Sequence, residues 1–389
     1  MNKDLKLEHY GFHKWWYHLS HHFIALPILR KYKFKTDFVK KLKDGPYIIM
    51  SNHCTEVDMV ILVRAIKPHQ YFVCGEHLLR SKVGPTLTRL YNPIGEFKGA
   101  AATKTVSEML RRIKAGANIM IFPEGSRSFN GETLHLPVST GKLVKLARTG
   151  LVTYRIHGGY FVAPRWAYKF RNGKMDGEVV HVYSKQEIAA MTAEEVNNHI
   201  NEDIYENAYE LQRKRMDVYD CDALAEGIEN YLIICPKCGG YDTFQSKGDK
   251  FWCTKCGVQE TYDKYGFLHG DIEYDSVYDW GKWIEKRFDE DMAPKSNDEL
   301  LFTEDEIELY KVTPDHQQIS LNKGSMKVYK DRLELFDMVI PFNDILTMSM
   351  LYYGKTLLFT YQGINYGITG EHYHAWKANR LYDLIKKNV

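Results

Sequence analysis

The chain has 389 residues, 44% hydrophobic and 26% charged, which excludes a disordered chain and predicts two or three globular domains. The net charge of +2 hides an asymmetry, because residues 1–190 carry 30 Lys and Arg against 14 Asp and Glu, whereas residues 191–389 carry 22 against 36. The basic half predicts an anionic partner such as a phosphate or an acidic membrane surface, and the acidic half argues against nucleic acid.

The first predicted element is an amphipathic helix. Aromatic and aliphatic residues recur at helical spacing over 12–29, and Lys and Arg follow as far as residue 43. This pattern predicts a membrane-surface segment at residues 1–45, although a helix docked on its own domain explains it equally well. Neither a cleavable signal nor a spanning run fits the sequence. We therefore predict a cytoplasmic protein, peripheral on the inner face of the cell membrane.

Apolar strands and amphipathic helices alternate over residues 46–220, which predicts an α/β domain with a mixed sheet flanked by helices. We expect a capping box from Thr192 to Glu195. Ligands of such sheets bind beyond the carboxyl ends of strands, where two polar motifs occur here. The predicted strands are 47–50, 71–74, 118–122, 154–166 and 178–183, and the predicted helices are 58–65, 103–114 and 140–148.

The first motif runs from Asn52 to Asp58. A histidine held by a carboxylate is suited to removing the proton of an alcohol, so His53 is the predicted general base and Asp58 its orienting partner. Residues five apart lie on different faces of a regular helix, so this contact requires a bent path. Asn52 is expected to fix the turn or donate a hydrogen bond.

The second motif runs from Phe122 to Ser128 and contains Glu124, Gly125, Ser126 and Arg127. The planar guanidinium of Arg127 is a suitable clamp for a phosphate. Glu124 is expected either to hold a substrate hydroxyl or to orient Arg127. Taken alone, the motif is also explained by a surface turn with a salt bridge.

Two C-x-x-C pairs, separated by fourteen residues, predict a four-thiolate zinc ribbon at residues 228–268 in a reducing compartment. Four protein ligands close such a site, so the metal is expected to be structural. The predicted ligands are Cys235, Cys238, Cys253 and Cys256.

The remaining chain divides into two predicted parts. Residues 269–310 are acidic and are predicted to be a linker or covering helix. Residues 311–389 contain short alternating runs and one amphipathic helix, which predicts a β-rich PH-like or GRAM-like domain. A plain structural domain is as consistent with this pattern as a lipid or protein reader.

Together, Asn-His-x-x-x-x-Asp and Phe-Pro-Glu-Gly-Ser-Arg-Ser resemble the glycerolphosphate acyltransferase superfamily, specifically the 1-acylglycerol-3-phosphate (lysophosphatidate) acyltransferases, over about residues 10–215. The resemblance implies His53 and Asp58 as the catalytic pair, with Glu124, Gly125 and Arg127 in the acceptor-binding block. It also implies acyl transfer at a membrane from acyl-CoA or acyl-carrier protein to a lysophospholipid.

Two positions depart from this family pattern. Lys98 stands where the family usually has an arginine that binds the acceptor phosphate, and lysine keeps the charge but loses the bidentate geometry. The proline usual in the fourth block is missing from residues 151–158, and Pro164 comes later. These departures concern the acceptor rather than the acyl transfer.

The resemblance thus predicts an O-acyltransferase that makes phosphatidic acid from 1-acylglycerol 3-phosphate in phospholipid biosynthesis. Glycerol 3-phosphate or another lysophospholipid is an alternative acceptor. A lipid-binding scaffold with a residual acyltransferase domain is an alternative of another class, and a nucleic-acid-binding ribbon is a third.

Overall fold

The computed structural model describes residues 7–97 and 102–387, and its first part is built on a seven-stranded sheet. The spatial order is β1-β7-β6-β2-β5-β3-β4. Neighbouring strands are parallel except β6 and β7, which confirms the predicted mixed α/β sheet. The strands are β1 Lys35–Thr36, β2 Tyr47–Ser51, β3 Gln70–Gly75, β4 Ile94–Glu96, β5 Asn118–Ile121, β6 Gly150–His157 and β7 Asp176–Tyr183.

Helices cover both faces of this sheet, since its central strands are apolar on both sides. The capping box predicted at Thr192 is present, with both reciprocal hydrogen bonds to Glu195. The helices are α1 Tyr10–Ser20, α2 Leu26–Lys31, α3 Asp58–Ala65, α4 Glu76–Leu79, α5 Gly84–Tyr91, α6 Thr103–Lys114, α7 Val138–Ala147, α8 Gly159–Val162, α9 Lys185–Ala190, α10 Ala193–Ile204 and α11 Ala208–Arg215, with a π-helical turn at His21–Ala25 between the first two.

One predicted strand was wrong in its bounds. The strand expected over 154–166 is β6, which spans Gly150–His157, and the chain then turns at Gly158 into the buried helix α8. Gly158 has a φ of 74°, and an added Cβ would lie 2.6 Å from the carbonyl oxygen of Lys174. The error arose because a fully buried helix and a fully buried strand give the same apolar run.

The N-terminal helix has one docked face and one exposed face. Tyr17 is buried, and its hydroxyl donates to the carbonyl of Ile66 at 2.7 Å. In contrast, Trp15 is 59% exposed and Phe23 is 73% exposed. None of the helices in the described residues is long and apolar enough to cross a bilayer.

The cysteine-containing segment forms a four-stranded antiparallel sheet of spatial order β11-β10-β9-β8. It packs directly on the first part of the chain, where the buried guanidinium of Arg171 donates to the hydroxyl of Tyr262 at 2.9 Å. A helix, α12 (Val277–Met292), follows the sheet. The strands are β8 Phe244–Lys247, β9 Lys250–Cys253, β10 Gln259–Tyr262 and β11 Leu268–Gly270.

The C-terminal part is a seven-stranded antiparallel sheet of order β15-β14-β13-β12-β18-β17-β16, followed by α13 (Ala375–Lys387). Its first strand begins at Phe302 rather than at residue 311. The sequence indicated a later start because residues 304–306 are all acidic, a composition typical of a linker. The strands are β12 Phe302–Val312, β13 Gln318–Val328, β14 Arg332–Leu335, β15 Met338–Pro341, β16 Ile345–Leu351, β17 Thr356–Tyr361 and β18 Ile364–Thr369.

The three parts share one continuous hydrophobic core. Buried residues of the first part, such as Ile49 of β2 and Trp166 after α8, belong to the same cluster as Trp280 of α12 and Leu357 of β17. The cysteine-containing segment also contacts the C-terminal part, since Asp242 accepts a hydrogen bond from Lys377 of α13 at 2.6 Å. A change in one part can therefore reach the others through direct packing.

Candidate active site

Two loops that carry the predicted site residues leave neighbouring parallel strands at the same edge of the sheet. The 52–58 loop follows β2 and the 122–128 loop follows β5, and Ile48 pairs with Ile119 between these strands. Parallel strands bring their carboxyl ends together, so the loops converge as the sequence predicted. The backbone N–H of His53 donates to a carboxylate oxygen of Glu124 at 2.7 Å.

The 52–58 loop folds around the buried carboxylate of Asp58. One oxygen, Oδ2, accepts hydrogen bonds from Nδ1 of His53 at 2.8 Å, from the backbone N–H of Cys54 at 2.6 Å and from that of Thr55 at 2.9 Å. The other oxygen accepts from the Thr55 hydroxyl at 2.8 Å. Asp58 opens helix α3, and the turn before the helix supplies the bent path that the spacing requires.

His53 is held on its ring face as well as at Nδ1. Its imidazole stacks on the ring of Phe122, with centroids 4.4 Å apart and an interplanar angle of 14°. An ionised carboxylate can only accept a hydrogen bond, so Nδ1 carries the hydrogen and Nε2 carries the lone pair. The side chain of His53 is 22% exposed, so it is accessible from solvent.

Asn52 joins this loop to strand β6. Its side-chain amide donates to the carbonyl of Ile156 at 2.9 Å and accepts from the N–H of Ile156 at 2.8 Å. The same amide lies 3.3 Å from a carboxylate oxygen of Glu206. Asn52 therefore fixes the loop and also donates a hydrogen bond, which were the two expected roles.

Glu124 binds backbone groups through both oxygens, a role that the sequence did not predict. Oε1 accepts from the N–H of His53, and Oε2 accepts from the N–H of Leu134 at 2.9 Å. Burial raises the pKa of Glu124 to about 8, although the two N–H bonds oppose the shift. Glu124 thus positions the main chain of the predicted base. Gly125, which follows it, has a φ of 68°, a conformation that favours glycine.

Arg127 has two identified partners. Nη2 lies 2.6 Å from a carboxylate oxygen of Glu56, and Nη1 donates to the carbonyl of Ala163 at 3.3 Å. Glu56 belongs to the 52–58 loop, and its side chain is 49% exposed. The salt bridge expected of a plain surface turn is thus present, but it joins the two motifs. Ser126 lies between Gly125 and Arg127, and Lys98 lies outside the described residues.

Arg165 holds the 122–128 loop through a hydrogen bond to its main chain. The sequence interpretation did not assign a role to this residue. Its Nη1 donates to the carbonyl of Arg127 at 2.8 Å, and its Nη2 donates to the carbonyl of Met350 in β16 at 2.6 Å. The guanidinium lies 4.1 Å from the ring centroid of Phe129, and that ring stacks on Tyr231 with centroids 5.3 Å apart. The C-terminal sheet is therefore joined to the 122–128 loop by the side chain of Arg165.

The four predicted metal ligands lie together. Their sulfur atoms are all within 4.8 Å of one another. The Cys235–Cys256 and Cys238–Cys253 sulfur pairs are each 3.7 Å apart. Sulfurs bound tetrahedrally at about 2.3 Å from a zinc ion would be about 3.8 Å apart, which is close to the spacing of these two pairs, so the four cysteines suit a zinc ion.

The family comparison agrees with the site. Residues 32–162 match the family model Acyltransferase, and this match includes both loops. These residues are therefore similar to an acyltransferase domain. The match confirms the resemblance inferred from the two motifs.

Among solved structures, the chain is similar to the 1-acyl-sn-glycerophosphate (LPA) acyltransferase PlsC from Thermotoga maritima. The identity is 18% and the TM-score is 0.41, over 50% of this chain and 82% of that one. No curated protein matches the chain.

Proposed function

We propose that the protein transfers a fatty acyl group from acyl-CoA or acyl-carrier protein to the free hydroxyl of 1-acylglycerol 3-phosphate, which gives phosphatidic acid. The observation that carries this proposal is the His53–Asp58 pair, whose Nδ1 and carboxylate oxygen are 2.8 Å apart. Hydrogen bonds from Asn52 to β6 and from the His53 N–H to Glu124 hold the loop that carries this pair. The acyltransferase domain supplies the reaction class, and the anion-binding character of Arg127 supports the phosphate-bearing acceptor.

Nε2 of His53 is the proposed base. It takes the hydroxyl proton while the acceptor oxygen attacks the thioester carbonyl carbon, and a tetrahedral intermediate forms. When that intermediate collapses, the C–S bond breaks and the proton passes from Nε2 to the leaving thiolate. Asp58 stabilises the imidazolium between these steps and is itself stabilised by the N–H groups of Cys54 and Thr55.

Arg127 is the proposed phosphate ligand. A phosphate monoester carries more negative charge than a carboxylate and offers three acceptor oxygens, so it can replace Glu56 as the partner of Nη2. Lys98 is the proposed second cation at the acceptor. Ser126 and Gly125 form the remainder of the proposed acceptor-binding loop, while Glu124 fixes its position relative to His53.

We also propose that the protein acts on the inner face of the cell membrane. The exposed aromatic residues Trp15 and Phe23 on the N-terminal helices support this location, because such side chains partition into the headgroup layer. The Lys and Arg residues that follow would add attraction to anionic lipids. The zinc ion proposed for the four cysteines would be structural, since all four of its ligand positions are protein thiolates.

The test is to incubate the purified protein with labelled acyl-CoA or acyl-carrier protein and a panel of acceptors. The panel contains 1-acylglycerol 3-phosphate, glycerol 3-phosphate and lysophospholipids with larger headgroups. The proposal predicts labelled phosphatidic acid as the main product. If the protein prefers another acceptor, that acceptor would replace 1-acylglycerol 3-phosphate as the proposed substrate. If no acceptor is acylated, the result would favour the lipid-binding scaffold.

A further inference from the structure

We propose that Arg165 is a positioning residue that holds Arg127 toward the acceptor, and that the C-terminal sheet acts on acceptor binding through it. This inference rests on the proposed function in one respect, since it takes Arg127 to be the ligand of the acceptor phosphate. It assigns a role to the C-terminal part, which lies outside the residues matched by the acyltransferase family.

The first argument is the pair of hydrogen bonds from one guanidinium to two distant segments. Nη1 reaches the carbonyl of Arg127 in the 122–128 loop, and Nη2 reaches the carbonyl of Met350 in β16. The planar fork of arginine carries donors in two fixed directions, whereas a lysine ammonium is a compact point charge. An arginine is therefore the side chain that can bridge these two carbonyls in one fixed geometry.

The second argument is the cost of burying this cation. Arg165 is 9% exposed, and burial together with the nearby charge of Arg127 lowers its pKa to about 9. Both of its hydrogen bonds go to neutral carbonyls, and the ring of Phe129 covers the guanidinium. An apolar residue would fill such a space at a lower desolvation cost, which indicates that the guanidinium serves to position its partners.

The third argument is that residues 163–165 contact Arg127 at two places. Ala163, two residues before Arg165, accepts a hydrogen bond from Nη1 of Arg127. The main chain of Arg127 is thus fixed by Arg165, and its side chain is fixed by Ala163. These two contacts direct Nη2 toward Glu56, at the place proposed for the phosphate.

The test compares Arg165→Lys with Arg171→Lys in the full chain. Arg171 is also buried and donates to a carbonyl, that of Leu224, as well as to Tyr262, so it controls for the loss of a buried guanidinium. Losing one charge-assisted hydrogen bond is expected to raise the KM for 1-acylglycerol 3-phosphate about tenfold in R165K. The kcat and the KM for the acyl donor should stay unchanged, and R171K should leave the acceptor KM unchanged.

A double variant distinguishes positioning from a direct contact. If Arg165 acts through Arg127, R165K should cause no further rise in acceptor KM in an R127A background. Additive effects, or equal effects of R165K and R171K on acceptor KM, would overturn the inference. If R165K fails to fold, R165Q takes its place, because its two amide donors sit on one nitrogen of a shorter side chain, which cannot span the two carbonyls.

Hydrogen exchange of the ligand-free protein separates this inference from the proposed function. R165K should accelerate amide exchange across residues 122–128 and leave unchanged the amides of Cys54 and Thr55, which donate to Asp58 within their own loop. If the wild-type protein shows no acyl transfer to lysophosphatidate, the proposed function fails, and the exchange result still decides the positioning role. Unchanged exchange at 122–128 would exclude that role, whatever the substrate.

Discussion

The two loops at the candidate site are held in place by different means. The 52–58 loop is organised mainly from within, since the carboxylate of Asp58 binds three residues that precede it in the same loop, and Asn52 and Glu124 add contacts to β6 and to the second loop. The 122–128 loop is organised from outside, by Arg165 and by the β16 strand of the C-terminal sheet. The proposed base is therefore locally encoded, whereas the proposed phosphate ligand depends on residues far away in the sequence.

The largest effect is expected from breaking the internally held loop. Asp58→Asn places an NH₂ group among hydrogen-bond donors and removes the charge that stabilises the His53 imidazolium, so kcat should fall about 10³-fold. The measurement is the steady-state rate of acyl transfer, with the acceptor KM determined separately. Asp37→Asn, at an exposed position before β2, is the control and should keep the wild-type rate. An unchanged kcat in D58N would show that the internal network is not needed for catalysis.

A smaller effect is expected from a substitution in the four-cysteine segment, which reaches the 122–128 loop only through intervening residues. Cys238→Ser should lower the metal content and the thermal midpoint, because metal binding contributes to the stability of the four-cysteine segment. That segment lies next to Tyr231 and so to Phe129, and the acceptor KM should rise about tenfold.

Hydrogen exchange and metal analysis check this second prediction. Amides at 122–128 should exchange faster in C238S, while those of Cys54 and Thr55, which donate to Asp58, keep their protection. Cys221→Ser removes a thiol outside the cluster and should change neither metal content nor exchange. Faster exchange in both loops would mean that the two loops are not independently held.

The smallest effect is expected where the two loops meet. Glu56→Gln removes the carboxylate that occupies Nη2 of Arg127, so the acceptor phosphate no longer competes with it. Because an ion pair with a half-exposed partner contributes little to the free energy of folding or binding, the acceptor KM should fall only about threefold. The kcat should stay unchanged. Glu178→Gln, a similarly exposed partner of Arg155, is the control. A rise in acceptor KM in E56Q would instead indicate that Glu56 binds the acceptor itself.

The same contrast explains how far the sequence could predict the site. His53 and Asp58 are close in sequence, and their contact was predicted from residue types and spacing alone. The roles of Glu124 and Arg165 were not, since their partners Leu134 and Met350 are identified only by the tertiary fold.

The fold was predicted to a similar extent. The helices at 58–65 and 103–114 were predicted with the observed bounds, and the second has a regular amphipathic pattern. Helix α8 was missed, since its four residues are all buried and have no polar face. The start of β12 was missed because the acidic run at 304–306 resembles a linker, although Glu304 is buried in the sheet.

The central claim is that His53 is the base of an acyl transfer, and the most direct test is the rate of labelled phosphatidic acid formation by His53→Gln. His181→Gln, which changes an exposed histidine stacked on Tyr183, is the matched control. We predict that H181Q keeps the wild-type rate and that H53Q loses about 10³-fold in kcat while its circular dichroism spectrum and thermal midpoint are retained. A folded H53Q protein that forms phosphatidic acid at the wild-type rate would contradict the assignment.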